Sequence, residues 1–319
     1  MIQKIFYSIN LLPYNLVCFP YLLANFVVQR ILKSPSVHIW PRNSFVLKNL
    51  ISGFSDLDFS LYFLGRVEHY TVKQKILNLK KLSFYFPFIG ETNVYSSETL
   101  DLVKITINPY ELKRDPQLND IIGEIPSFEC DKIVYLLRML DSDQKNLKHF
   151  ILLRQKKWKY HLDSAGLSNI PADLTFQNIL MSINHQVLKF TNFNESSSEI
   201  FVNYYQGNFN RIEMDYHLNQ KMVLEFMCIF PWQWLGPSFS NDNLKRDCDI
   251  LLAADPLYLD LFMAQLSWEI WGYIVQGIYL EQNISWESHM LRIKTIVNFL
   301  ETSSHPKCYQ LQKVLEQLK

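Results

Sequence analysis

Glycine is scarce in this chain, nine in 319 residues. Neither G-x-G-x-x-G nor G-x-x-x-x-G-K-[S/T] occurs, which excludes the Rossmann and P-loop ways of cradling a phosphate. Cysteine is sparse too. The five thiols, Cys18, Cys130, Cys228, Cys248 and Cys308, are odd in number, far apart and never in C-x-x-C. That pattern argues against a disulfide framework or a structural zinc and for a reducing, cytoplasmic setting. No H-E-x-x-H appears among the eight histidines, so a zincin site is excluded. Neither charge is in excess: 31 Lys+Arg balance 31 Asp+Glu, whereas a protein that coats nucleic acid non-specifically carries a basic surplus. What the chain does have is apolar material, 48% hydrophobic and 14% aromatic, enough for a packed core and unlike a disordered or collagen-like chain.

Charge is missing altogether from residues 5–29, with Lys4 before the stretch and Arg30 and Lys33 after it. Its length suits a membrane span. Pro13 and Pro20 interrupt it, however, and Asn10, Asn15 and Asn25 would each need a partner in lipid. No small-residue cleavage site follows a clean apolar core, as a secretory signal requires. The reading is one or two short aromatic-rich helices, broken at the prolines and packed on the body, with membrane contact through residues 5–29 as the alternative.

Periodicity organises the rest. Residues 36–40 form a short β-prone run. Residues 43–50 suit one or two helical turns, followed by turn chemistry around Gly53. In 56–63, Leu57, Phe59, Leu61 and Phe63 alternate with Asp56, Asp58, Ser60 and Tyr62, as on a strand. Val72, Ile76 and Leu79 recur at helical spacing, residues 88–95 read as a second strand, and Ser96 or Ser97 suits the cap of a helix through 99–104. Further on, 131–140 and 147–158 read as helices, and Gly207-Asn208 between alternating runs at 200–204 and 212–216 reads as a hairpin. Asp255-Pro256 opens a helix striped by Leu257, Leu261, Ala264, Trp268, Trp271, Val275 and Ile278. Two more helices follow, one from Ser285 and one carrying Leu311, Val314 and Leu318. The expected fold is α+β: a helical segment 1–33, an α/β-like core with a small mixed sheet over 34–125, and a mainly helical C-terminal domain with a β-hairpin over 126–319.

Chemistry concentrates in Arg42-Asn43-Ser44 and Gly53-Phe54-Ser55-Asp56-Leu57-Asp58. Period-2 geometry puts Asp56 and Asp58 on one strand face. Carboxylates that close repel unless a cation lies between them, and their oxygens suit hard divalent ions. Upstream, Ser44 at a helix start offers a hydroxyl and backbone N–H groups to a phosphate. A D-x-D pair at a strand start is common by itself, and Asp56 alone reads equally as a turn cap beside Gly53. The serine, the glycine turn and the alternation after the pair are what make the combination specific.

This segment resembles the nucleotidyltransferase superfamily typified by DNA polymerase beta and the aminoglycoside nucleotidyltransferases. The family pattern is Gly-Ser, a short spacer, then G-x-S-D-h-D on a strand, with a third carboxylate on a neighbouring strand. The stretch also resembles nucleotidyltransferases encoded near bacterial surface-polysaccharide genes. The resemblance spans about residues 36–104, a third of the chain at usual domain sizes. It implies Asp56, Asp58 and Glu91 as catalytic residues holding two Mg²⁺ ions, with Mn²⁺ as a substitute. It also implies a nucleotide site at Arg42, Asn43, Ser44, Gly53 and Ser55, although Arg42, next to an expected strand, reads more readily as a surface ion-pair residue. The implied reaction moves an NMP group from an NTP, ATP among them, to a hydroxyl of a small molecule or sugar and releases pyrophosphate, with Ser44 on the outgoing phosphates and Glu91 placed to act as base. Asn43 stands where the family has glycine, a departure that narrows the cradle or marks an inactive copy. Two other readings stay open: the same chemistry on a protein or nucleic-acid acceptor, or an inactive fold that binds a partner or a membrane.

Other segments read more plainly as structure. Glu213 and Asp215 compete with Glu91 but suit the polar face of a hairpin. The basic run Arg154-Gln155-Lys156-Lys157-Trp158-Lys159 suits a solvated helix face or a phosphate clamp. Trp268, Trp271 and Tyr273 suit a core stripe, and Trp232 and Trp234 a loop.

Overall fold

The computed structural model describes residues 11–51, 55–65, 68–144, 151–167, 224, 227, 241–278 and 284–318. The architecture is α+β, dominated by helix, with one three-stranded mixed sheet. The described residues fall into two compact units. The first draws on 1–126, 150–157 and 271–283, and the second on 127–149, 158–270 and 284–319. The sheet belongs to the first. The stretches 150–157 and 271–283 also belong to it.

The first unit opens with helix α1 (Tyr14–Leu32). Over 14–32 it is one continuous helix that Pro20 does not break, while residues 1–10 lie outside the described residues. Pro13 takes the N-cap position, and Pro20 stays inside. Val17, Cys18, Tyr21, Ala24, Val28 and Leu32 form its buried face and join the core. An interior proline costs roughly 3 kcal/mol, whereas each large apolar side chain buried returns about 1.5–3 kcal/mol, so packing outweighs the lost backbone bond. Among the described residues this is the one helix long and apolar enough, by length and composition, to cross a membrane.

Strands β1 (Val37–Arg42), β2 (Leu57–Phe63) and β3 (Ile89–Ser96) lie in sequence order. β1 runs antiparallel to β2, with Arg42 opposite Asp58. β3 runs parallel to β2 after a crossover through α2 (His69–Tyr85), a βαβ unit. One face of β2 is apolar as the alternation requires: Leu57, Phe59, Leu61 and Phe63 are buried against α1, Val72 and Leu79. Its other face is covered as well, by polar groups. Asp115 is 3% exposed. It accepts from Trp40 Nε1 (2.7 Å) and Leu118 N (3.1 Å) and binds the Ser60 hydroxyl. Asp115 also caps α5 (Pro116–Ile122), and Asn108 caps α4 (Pro109–Leu112), each followed by a proline whose missing N–H costs nothing there. Between β3 and these caps lies α3 (Leu100–Thr106), whose N-cap position is Thr99 rather than Ser96 or Ser97. Ser96 instead donates its N–H to Thr99 Oγ1 (3.2 Å).

The second unit is helical. α6 (Glu129–Gln144), α7 (Ile151–Ser164), α8 (Asn241–Leu252), α9 (Pro256–Gly272), α10 (Ile284–Phe299) and α11 (Pro306–Gln317) supply it, although the start of α7 and the end of α9 belong to the first unit. Asp255 Oδ1 accepts from Leu257 N (2.9 Å), the expected cap. α9 is buried nearly all round rather than along one stripe: even Gln265 and Ser267 are enclosed. It continues into a single π-helical turn, Tyr273–Gly277. The expected hairpin at 200–216, Glu213, Asp215, Trp232 and Trp234 lie outside the described residues.

Candidate functional site

The β2–β3 register positions the carboxylates. Leu57 pairs with Ile89 and Phe59 with Thr92, so the single residue Asp58 faces two on β3, Gly90 and Glu91. This is a β-bulge, a device that re-aims side chains and recurs beside active sites. It turns the Glu91 N–H onto Asp58 Oδ1 (2.8 Å). It also brings the Gly90 backbone against both aspartates. A Cβ on Gly90 would meet Asp58 Oδ1 at 2.4 Å and Asp56 Cβ at 2.5 Å. Gly90 is thus required by close approach, and Asp56, Asp58 and the start of β3 share one small volume.

Each acid has a different setting. Asp58 is half-buried and held at both oxygens, by Glu91 N and by Asn43 Nδ2. Asp56 is solvent-exposed, and among the described residues no hydrogen-bond donor reaches it. Partial burial and the neighbouring charge of Asp58 push its carboxyl above the usual range; Lys157 pulls it down, and Glu91 adds a further upward push. Glu91 is 74% exposed, with Oε2 3.4 Å from Arg42 Nη2.

Arg42 is tied to carboxylates. It is 2% exposed, and its Nη1 donates to Glu111 Oε1 (3.0 Å). Burial works against its charge, but Asp58 and Glu111 outweigh that and hold the guanidinium protonated. Its place in the site is to fix the Glu91 and Asp58 ends of the two strands. Asn43 adopts left-handed backbone (φ 59°), a region that asparagine tolerates better than most residues with a Cβ. Its N–H donates to Arg114 O (2.8 Å).

The expected helix after Ser44 is instead a run of turns over 43–48. Asn43 and Lys48 (φ 55°) both take left-handed conformations, which cannot continue a right-handed helix. Among the described residues, the N–H groups of Ser44, Phe45 and Val46 donate to no backbone carbonyl. The half-buried Ser44 thus stands at a row of three such donors, an arrangement suited to an anion. Ser55 is buried and committed locally: its Oγ accepts from Ile51 N (2.9 Å), and its carbonyl accepts from Tyr21 Oη (3.0 Å). Gly53 lies outside the described residues.

The donor chemistry fits a hard divalent cation. Asp56 could ligate such a cation, with Asp58 behind it, whereas Glu91 is shared with Arg42. Among the described residues no group of three His, Cys, Asp or Glu side chains is gathered for a metal, so the pair, not a triad, is what stands ready. Sequence reasoning missed Gly90, Lys157 as an individual member of the basic run, and the side-chain role of Asn43. Only the basic run gave any signal. A surface hollow beside Lys245, Arg246 and Asp249 on α8 contains none of these residues. No protein-family model matches the chain, and neither a curated protein nor a solved structure does.

Proposed function

We propose that this chain is a Mg²⁺-dependent nucleotidyltransferase with a nucleotidyltransferase-type core, moving an NMP group from an NTP to the hydroxyl of a small molecule or sugar and releasing pyrophosphate. The observation that carries the reading is the packing of Asp56 and Asp58 onto Gly90 at a bulge that brings Glu91 alongside. Asp56 and Asp58 would hold the cation; when bound, it polarises the phosphoryl group and lowers the pKa of the attacking hydroxyl. The chain's own groups do the rest. Asn43 and the Glu91 N–H orient Asp58. The N–H row at Ser44, which among the described residues has no backbone acceptor, takes the outgoing phosphates. Glu91 Oε1, the oxygen not facing Arg42, receives the acceptor proton.

A second reading, a non-catalytic copy of the fold, is favoured by one observation: Glu91 is paired with Arg42. One pair of experiments separates them. Pyrophosphate release is measured for each NTP with Mg²⁺ or Mn²⁺, with wild type and Asp56→Asn. Thermal unfolding of both is recorded with and without the cation. Because the folded-state pKa of Asp56 is raised, its ionised form costs stability: the benefit of the protonated form is complete below the unfolded pKa and lost as pH rises through the folded one. Asp56→Asn therefore melts higher than wild type without metal. Mg²⁺ raises the wild-type midpoint by mass action and leaves the variant unchanged, and turnover by the variant falls to background. Absence of both turnover and a Mg²⁺-dependent shift in wild type selects the second reading.

A further inference from the structure

The outward faces of α1 and α2 are absorbed neither by the core nor by the carboxylate site. On α1, opposite the buried face, Leu16, Phe19, Leu22, Leu23 and Phe26 are exposed, the two phenylalanines to 65% each. Isolated exposed apolar residues mean little, but a contiguous helical face of them marks an interaction surface. Its neighbour α2 buries Val72 and Leu79 and presents Lys73, Leu77, Lys80, Lys81 and Phe84 outward, with Phe84 84% exposed. The two helices pack on each other, and Lys75 Nζ donates to Leu32 O (2.6 Å).

Charge identifies the occupant. The whole chain is neutral, yet its first acidic residue is Asp56, and α2 contains no Asp or Glu. Around these faces Arg30, Lys33, Lys73, Lys80 and Lys81 are all exposed, and one exposed acid, Glu68, adjoins them at the N-cap of α2. A protein partner with mixed charges gains little from a rim this predominantly basic, and lysine is depleted in protein interfaces. A uniformly anionic surface behind an apolar layer matches both features. That is the signature of an interfacial helix on acidic lipid.

We infer that α1 and α2 dock this protein onto anionic lipid bilayers, with α1 lying in the interface rather than spanning it. Spanning would strip Val17, Tyr21, Ala24 and Val28 from the core that also contains Leu57 and Phe59 and would break the Tyr21–Ser55 hydrogen bond. Docking leaves that face in place and inserts only Phe19, Leu22, Leu23 and Phe26. The inference is independent of the transferase reading.

The test is co-sedimentation of the full chain with phosphatidylcholine vesicles, with and without phosphatidylglycerol. Wild type pellets with the anionic vesicles, and added NaCl releases it as the charges are screened. Phe19→Ser/Phe26→Ser lowers partitioning about tenfold per residue, and Lys80→Gln/Lys81→Gln lowers it about fivefold per residue. Thermal midpoints match wild type in both variants, because all four side chains face solvent. The inference is overturned by no pelleting, by equal pelleting with neutral vesicles, or by a phenylalanine variant that melts well below wild type. It is equally overturned if sedimentation velocity shows a dimer that the phenylalanine variant disperses while vesicle binding persists.

Discussion

Gly90→Ala tests the site geometry without reference to any ligand. Gly90 does not occupy left-handed backbone. At such a position alanine normally stabilises by about 0.4–1 kcal/mol, by restricting the unfolded chain. Here the sign reverses. The new methyl falls 2.4 Å from Asp58 Oδ1 and 2.5 Å from Asp56 Cβ, both well inside van der Waals contact. Asp58 can swing away only by giving up its bonds from Glu91 N and Asn43 Nδ2, and charged hydrogen bonds of this kind are worth roughly 1.5–3 kcal/mol each. Asp56 Cβ can move only with its backbone. Overpacking costs of about 1–3 kcal/mol therefore outweigh the entropic gain, for a net loss of about 1 kcal/mol. By calorimetry this lowers the midpoint by about 2–4 °C for a unit of this size. Gly90→Ala/Asp58→Ala recovers part of the loss, because the contact with Asp56 Cβ persists. A Gly90→Ala protein that melts at or above wild type would refute the convergence of the two aspartates on Gly90, and with it the premise of the site.

Two further outcomes concern the groups around and beyond it. Arg42→Ala leaves Glu111 buried with, among the described residues, Arg114 as its remaining ion-pair partner (3.1 Å) and lowers stability by about 3 kcal/mol, the low end for breaking a buried pair; urea midpoints measure it, and Arg42→Ala/Glu111→Ala costs less than the sum of the single changes. In the second unit, burial and the charge of Arg138 pull His289 down to about 4. The carboxylate of Glu269, 3.1 Å away, does not reverse this, because Arg138 also binds it. The unfolded chain takes up that proton first, so stability declines as pH falls from about 6.5 toward 4, by at most about 3 kcal/mol. His289→Gln flattens the denaturation profile over that window, and an unchanged slope would show that His289 is not held neutral.

Local pattern alone determined a good deal. The alternation of Leu57, Phe59, Leu61 and Phe63 specified β2 and its buried face, the spacing of Val72, Ile76 and Leu79 specified α2, and Asp255-Pro256 specified the start of α9, because period and capping chemistry act within a few residues. The nearness of Asp56 and Asp58 followed from the same period. Only the tertiary structure decided the rest. The bulge opposite Asp58, the closeness of Gly90, and the pairing of Arg42 with Glu91 and Glu111, 49 and 69 residues away, depend on which strands meet and in what register. Nothing within a local window encodes that. The same holds for Pro20, which stays inside a helix because a core made of distant strands compensates for it, and for Asn43 and Lys48, whose left-handed turns replaced an expected helix. Short-range sequence chooses the elements; the burial they achieve together chooses where the charges end up.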